Sequence, residues 1–195
     1  MSDTFEDEFD QVRIGVSASN SIECLDEHFF SFAQLTGDMI RSERLDLLFV
    51  LGASPLQTAL VKSWCDETCC VAACVEGDSI ENNSAEIVAV NIKRKLEGNE
   101  FPNNVDVSDV RRLAADDNQL IAFTDKAGLL EFLNGPAHES IRAILYLMHG
   151  EFCVDRFRDE SQALKDGLSG NATLYYSYLS GGEGECTALV AVHRR

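Results

Sequence analysis

The sequence has no apolar run approaching the roughly 20 residues a membrane span needs, and it is poor in basic charge, with 16 Lys and Arg against 33 Asp and Glu. The first absence excludes a helical membrane bundle. The second leaves a net charge of −17, so a nucleic-acid surface would have to be built against the field of the whole molecule. The segment Met1 to Asp10 carries five acids but no basic start followed by an apolar stretch, so it does not read as a secretory signal. The seven cysteines are an odd number and include the adjacent pair Cys69 and Cys70. That suits reduced, buried thiols and a cytoplasmic chain better than a secreted disulfide framework.

What is present is a regular alternation of short apolar strands and amphipathic stretches, the pattern of an α/β fold. Arg13 to Ser17 is a predicted strand, and Asn20-Ser21-Ile22-Glu23 is a helix start whose apolar face would be Ile22, Leu25, Phe29 and Phe32. Leu45 to Leu51 is a strand buried on both faces. Ser54, Pro55 and Gln57 then supply an N-cap, a first-turn proline and a capping-box partner for a helix to about Asp66. Strands follow at Cys69 to Val75 and Glu86 to Ile92, and a polar connector from Glu97 to Val107 leads to a short helix at Ser108 to Asp116. The rest reads as strand Leu120 to Thr124, helix Lys126 to Asn134, strand Arg142 to Met148, helix Val154 to Asp166, and strands Ala172 to Leu179 and Cys186 to His193. Gly181-Gly182-Glu183-Gly184 between the last two is a predicted hairpin turn.

The order β-α-β-α-β-β thus occurs twice, an internal repeat. Ile14-Gly15-Val16-Ser17 matches Ile121-Ala122-Phe123-Thr124, Leu47-Leu48-Phe49-Val50 matches Ile144-Leu145-Tyr146-Leu147, and Ile87-Val88-Ala89-Val90 matches Leu189-Val190-Ala191-Val192. The expected organisation is an acidic tail over 1–11, a first α/β unit over 12–94, a connector with a short helix over 95–117, and a second unit over 118–195.

Four segments of the first half carry a resemblance: Val16-Ser17, Asp46-Leu47-Leu48-Phe49-Val50, Ala73-Cys74-Val75-Glu76-Gly77 and Ile87-Val88-Ala89-Val90. In this order they resemble the N-terminal part of the FIST domain, the family of F-box and intracellular signal transduction proteins. The second half is similar to the weaker continuation of that domain. The resemblance implies a cytoplasmic sensory or binding module for a small molecule. The function expected from the whole reading is non-enzymatic, with a signalling protein or a second copy as partner, and the charge and hydropathy leave out nucleic acid and membrane. One branch is similar to nitric-oxide-sensing haem proteins, which raises haem as a cofactor.

The candidate ligand contacts are Ser54, Cys74, Glu76 and His149, each in or next to a loop that follows a strand. They would converge if the two halves packed about a pseudo-twofold axis. His149 is also the expected axial ligand if haem is bound, with Phe152 as an apolar wall and Arg156 and Arg158 for the propionates. Other chemistries lack essential parts. Gly52 to Thr58 occupies the place of a phosphate-binding loop but has no Gly-Lys step, which leaves a degenerate, non-hydrolysing RecA-like interaction subunit as the alternative. Cys65, Cys69, Cys70 and Cys74 lack CxxC spacing for zinc, and His149-Gly150 lacks the nucleophile of a cysteine protease.

Overall fold

The computed structural model describes residues 11–18, 28–77, 83–98, 100–115 and 118–193. Strands β1 (Ile14–Ala18), β2 (Phe29–Ser31), β3 (Leu47–Leu51), β4 (Val71–Gly77), β5 (Asn118–Phe123), β6 (Ile141–His149), β7 (Thr173–Leu179) and β8 (Cys186–His193) form one sheet in the order β2-β1-β3-β4-β5-β8-β6-β7. All neighbours are parallel except β8, which runs antiparallel to both β5 and β6. The helices are α1 (Gly37–Ser42), α2 (Pro55–Thr68), α3 (Ser84–Glu97), α4 (Val107–Leu113), α5 (Lys126–Leu133) and α6 (Val154–Asp166). This is the expected α/β class. Among the described residues no helix is long and apolar enough to cross a membrane.

Alternation along the strands divides the core into layers. Leu47, Phe49, Val71, Ala73, Ala143, Leu145, Leu147, Leu189 and Ala191 point to one face, where Val88, Ala89 and Ile92 of α3 and Val110 and Leu113 of α4 cover them in one continuous cluster. The opposite face is covered in two pieces. Residues of α1 and α2, such as Ile40, Val61 and Cys65, pack on Leu48 and Val50. Residues of α5 and α6, such as Leu129, Leu133 and Leu164, pack on Ile144, Tyr146, Ala188 and Val190. Between the two pieces the outer face of β4 and β5 is only half covered: Ala72, Cys74, Gln119 and Ile121 are partly exposed and Glu76 is exposed.

The local signals at α2 act as expected. Ser54 is the N-cap, Pro55 opens the helix, and the Ser54 and Gln57 side chains form a reciprocal capping box. At its other end Cys69 adopts the left-handed conformation (φ 60°), and the Cys70 amide donates to the Cys65 carbonyl at 3.0 Å, a Schellman closure that brings Cys65 and Cys70 together.

Four expectations need correction. Glu86 to Ile92 is not a strand but part of α3. The helix buries Val88, Ala89, Asn91, Ile92 and Lys95, a helical stripe, and Glu86 in the first turn with Arg94 and Lys95 in the last complement the helix dipole. Strands β7 and β8 do not form a hairpin, because β6 lies between them. Phe29, expected on the apolar face of a first helix, belongs to β2, which is paired parallel with β1. The expected helix start at 20–23 lies outside the described residues. Finally, the third pair of repeat segments matches a helix with a strand, and the chain builds a single sheet rather than two β-α-β-α-β-β units.

The connector segment is tied to the body of the fold. Buried Lys95 donates from Nζ to the carbonyls of Glu100 (2.7 Å) and Pro102 (2.8 Å). Ser177 Oγ donates to the same Pro102 carbonyl at 3.0 Å, and Asn104 Nδ2 donates to the Tyr176 carbonyl at 2.8 Å. The segment therefore straps α3 to the outer strand β7. Burial lowers the Lys95 pKa, and the two carbonyls accept hydrogen bonds that water would otherwise accept.

Candidate functional site

Strands β3 and β4 end beside each other, and α2 starts three residues after β3. The gap between them is an open cleft of about 640 Å³ lined by Gly52, Ala53, Pro55, Thr58 and Lys62 on the α2 side and by Cys74, Glu76 and Gln119 on the sheet. Small residues at 52, 53 and 59 keep the helix start from filling the space. Gly52 takes a left-handed turn (φ 67°) with nothing within 4 Å of the position a Cβ would occupy. The floor follows from strand register: Ser17 pairs with Val50, and Val50 with Cys74, so these three form a row across the sheet. Gln119 lies alongside Cys74, one residue before the Val75–Leu120 pair, and donates from Nε2 to Glu76 Oε2. Ser17, at the end of the row, is fully buried, and its hydroxyl has no hydrogen-bond partner among the described residues.

Of the four sequence candidates, Cys74 and Glu76 line this cleft and Ser54 stands at its rim. Ser54 serves the helix rather than the cleft, since its Oγ accepts the Gln57 amide at 3.4 Å and donates to Gln57 Oε1 at 2.8 Å. His149 is elsewhere. It is the last residue of β6 rather than a loop residue, with β5 and β8 between its strand and β4, and it shares the parity of Ala143, Leu145 and Leu147. It therefore points to the α3 face, whereas Cys74, Ala72 and Val50 point to the α2 face. The sheet itself separates the two, and the convergence expected from a pseudo-twofold does not occur.

The surroundings of His149 fix its protonation. Nδ1 lies 3.1 Å from the Gly184 carbonyl, which can only accept, so Nδ1 carries the proton. In the neutral ring Nε2 is then the acceptor, and the Thr187 hydroxyl at 2.9 Å is its donor. Thr187 in turn accepts from Asn91 Nδ2 at 2.8 Å, and Asn91 closes the chain with both the carbonyl (2.9 Å) and the amide (3.1 Å) of Glu183. Burial lowers the His149 pKa, in keeping with a neutral imidazole. Gly182 lies against the ring so closely that a Cβ would stand 2.3 Å from Nε2. With both nitrogens engaged, His149 has no open position for haem iron or any other ligand; it holds the 181–185 loop to α3.

Sequence reading missed Lys62, Thr58 and Gln119 as lining residues. Lys62 was visible as the cation two turns into α2 on the Pro55 and Thr58 face, but the role of Gln119 depends on β4–β5 register. A second polar centre also went unseen. Glu160 of α6 accepts from Lys126 Nζ (2.7 Å), Arg156 Nε (2.8 Å) and the Tyr146 hydroxyl (3.1 Å). Burial alone would raise the Glu160 pKa, and the two cations bring it below the ordinary value. These bonds tie α6 to α5 and β6. No group of three or more metal-ligating side chains is found among the described residues.

No family model matches the chain, and no curated protein matches it. Solved structures with a similar arrangement include a point mutant of FtsZ from M. jannaschii, 13% identical with a TM-score of 0.41, over 81% of this chain and 59% of that one. CetZ from Methanosaeta thermophila is 12% identical with a TM-score of 0.39, over 80% of this chain and 65% of that one. The chain thus spans less than two thirds of the length of either.

Proposed function

We propose that the chain is a non-enzymatic binding domain that takes a small polar molecule in the cleft between α2 and the outer face of β4 and β5. The observation that carries this reading is the break in the helical layer: an α/β sheet ordinarily has both faces covered, and among the described residues the cover stops where Cys74, Glu76 and Gln119 are presented. The volume falls within the range of small-molecule sites, roughly 300–1,000 Å³, and the cleft lies at strand C-terminal ends, where open α/β sheets bind ligands. Glu76 and Lys62 offer opposite charges, so the ligand chemistry that fits carries a donor or cationic group toward Glu76 and an acceptor toward Lys62. A cytoplasmic sensory role of the FIST kind is the finer form of this reading.

A ligand library read by thermal shift, with Cys74 alkylation as a second readout, tests it. A true occupant raises the melting midpoint saturably and slows alkylation of Cys74, and both effects weaken in Glu76→Gln and Lys62→Met. Binding that ignores both substitutions rules out the cleft.

One observation favours a second reading, an interaction subunit in a protein assembly: Leu56 and Leu60, on the outer face of α2 beside the cleft, are 81% and 48% exposed. If Leu56→Ser with Leu60→Ser cures self-association or abolishes capture of a partner chain while small-molecule binding is absent, this reading replaces the first.

A further inference from the structure

The edge of the sheet opposite this cleft carries a second opening, of about 410 Å³, lined by Gln11, Val12 and Arg13 before β1, Arg44 and Asp46 before β3, and Val107, Ser108 and Arg111 of α4. Its three arginines are exposed, and among the described residues none forms an ion pair with a carboxylate. By contrast Arg41, Arg112, Arg156 and Arg158 each lie within 4 Å of an acid. Two of the three are oriented by carbonyls that leave their charge unneutralised: Arg13 Nη1 donates to Glu43 O at 3.3 Å and Arg111 Nη2 to Cys69 O at 3.5 Å. The guanidinium of Arg44 has no partner among the described residues, and Arg44 closes α1 in the left-handed conformation (φ 52°), where glycine would cost less. The single lining carboxylate among the described residues, Asp46, is turned to the backbone, where Oδ2 accepts the Arg13 amide at 2.9 Å.

We propose that this opening binds a small phosphate-bearing molecule, with the guanidinium groups of Arg13, Arg44 and Arg111 around the phosphate and Val12 and Val107 beside the rest. Three forked donors about one volume suit the three oxygens of a phosphate monoester better than the two of a carboxylate. The volume exceeds that of phosphate alone and leaves room for an organic part. The net charge of −17 does not forbid it, because at physiological ionic strength fields decay over about 8 Å and among the described residues Asp46 is the only lining acid. The site is independent of the cleft at Glu76, lying at the other ends of the strands.

The test is titration of the full chain with inorganic phosphate and pyrophosphate at constant ionic strength, followed by calorimetry and by ³¹P line broadening. Arg44→Gly is the decisive variant, because it removes the guanidinium while relieving the left-handed backbone and so leaves the fold at least as stable. Saturable binding is expected, weakened at least tenfold by Arg44→Gly and by Arg111→Gln, and unchanged by Arg158→Gln or by Glu76→Gln. Absence of saturation, equal effects from chloride, or wild-type affinity in Arg44→Gly overturns the proposal.

Discussion

Thr187 donates its hydroxyl proton to His149 Nε2 across 2.9 Å, and in doing so it holds the imidazole in its neutral form. A pH dependence follows. Burial lowers the proton affinity of His149 in the folded chain below its ordinary value of 6.5, so below that pH the unfolded chain binds more protons. The contribution of this residue is complete above pH 6.5 and is lost as pH falls toward the folded-state value. His149→Gln is expected to destabilise by about 1–3 kcal/mol at pH 8, by leaving buried partners unpaired. It is also expected to flatten the fall in denaturation midpoint between roughly pH 7 and 5. Equal slopes in the two proteins would count against the neutral-histidine assignment.

Gly182→Ala and Gly52→Ala separate two reasons for glycine. At Gly52 only the left-handed backbone opposes a side chain, at a cost of about 1–2 kcal/mol. At Gly182 the added methyl meets the His149 ring at 2.3 Å. Chemical denaturation of double mutants distinguishes them: in a His149→Ala background the cost of Gly182→Ala should shrink by more than about 1 kcal/mol, while that of Gly52→Ala stays the same.

Thiol labelling mapped by mass spectrometry should follow burial. Cys69 and Cys153 are exposed and should react in the native protein, whereas Cys65, Cys70 and Cys186 are buried and should wait for unfolding. A hydrogen bond with Cys65, together with burial, raises the Cys70 pKa, and burial pushes the Cys186 thiol up to about 12, so neither offers a thiolate at neutral pH. Early labelling of Cys65 or Cys70 would show instead that the end of α2 opens.

Where an interaction is local, the sequence announces it. Ser54, Pro55 and Gln57 act within one turn, and the capped start of α2 is where they place it. The helix Val154–Asp166 is likewise legible from its own residues. The misreadings arise where distant partners decide. Ile87 to Val90 has the composition of a strand, and only the sheet face beneath α3 makes its helical stripe the better burial. Gly181 to Gly184 has the composition of a hairpin turn, yet Arg94 Nη1 donates to the Gly181 carbonyl at 2.7 Å and Asn91 binds Glu183, so this loop answers to α3 and not to a partner strand. Cys74 and Glu76 were expected in or next to the loop after this strand, and both line the cleft from within β4 itself. The side of the sheet on which His149 lies was not legible, because β6 is apolar on both faces and its pattern does not tell one from the other.

The antiparallel strand β8 comes last of the eight in sequence and yet sits third from the sheet's far edge, between β5 and β6. It is the keystone of the sheet: β6 and β7 are hydrogen-bonded to the β1–β5 array only through it. As the chain leaves the ribosome, every residue up to Leu179 emerges before that strand does, leaving β5 and β6 each with an open edge. Assembly of the complete sheet therefore waits for the strand made last of the eight, and until it emerges the nascent chain is open to wrong pairings and to chaperones.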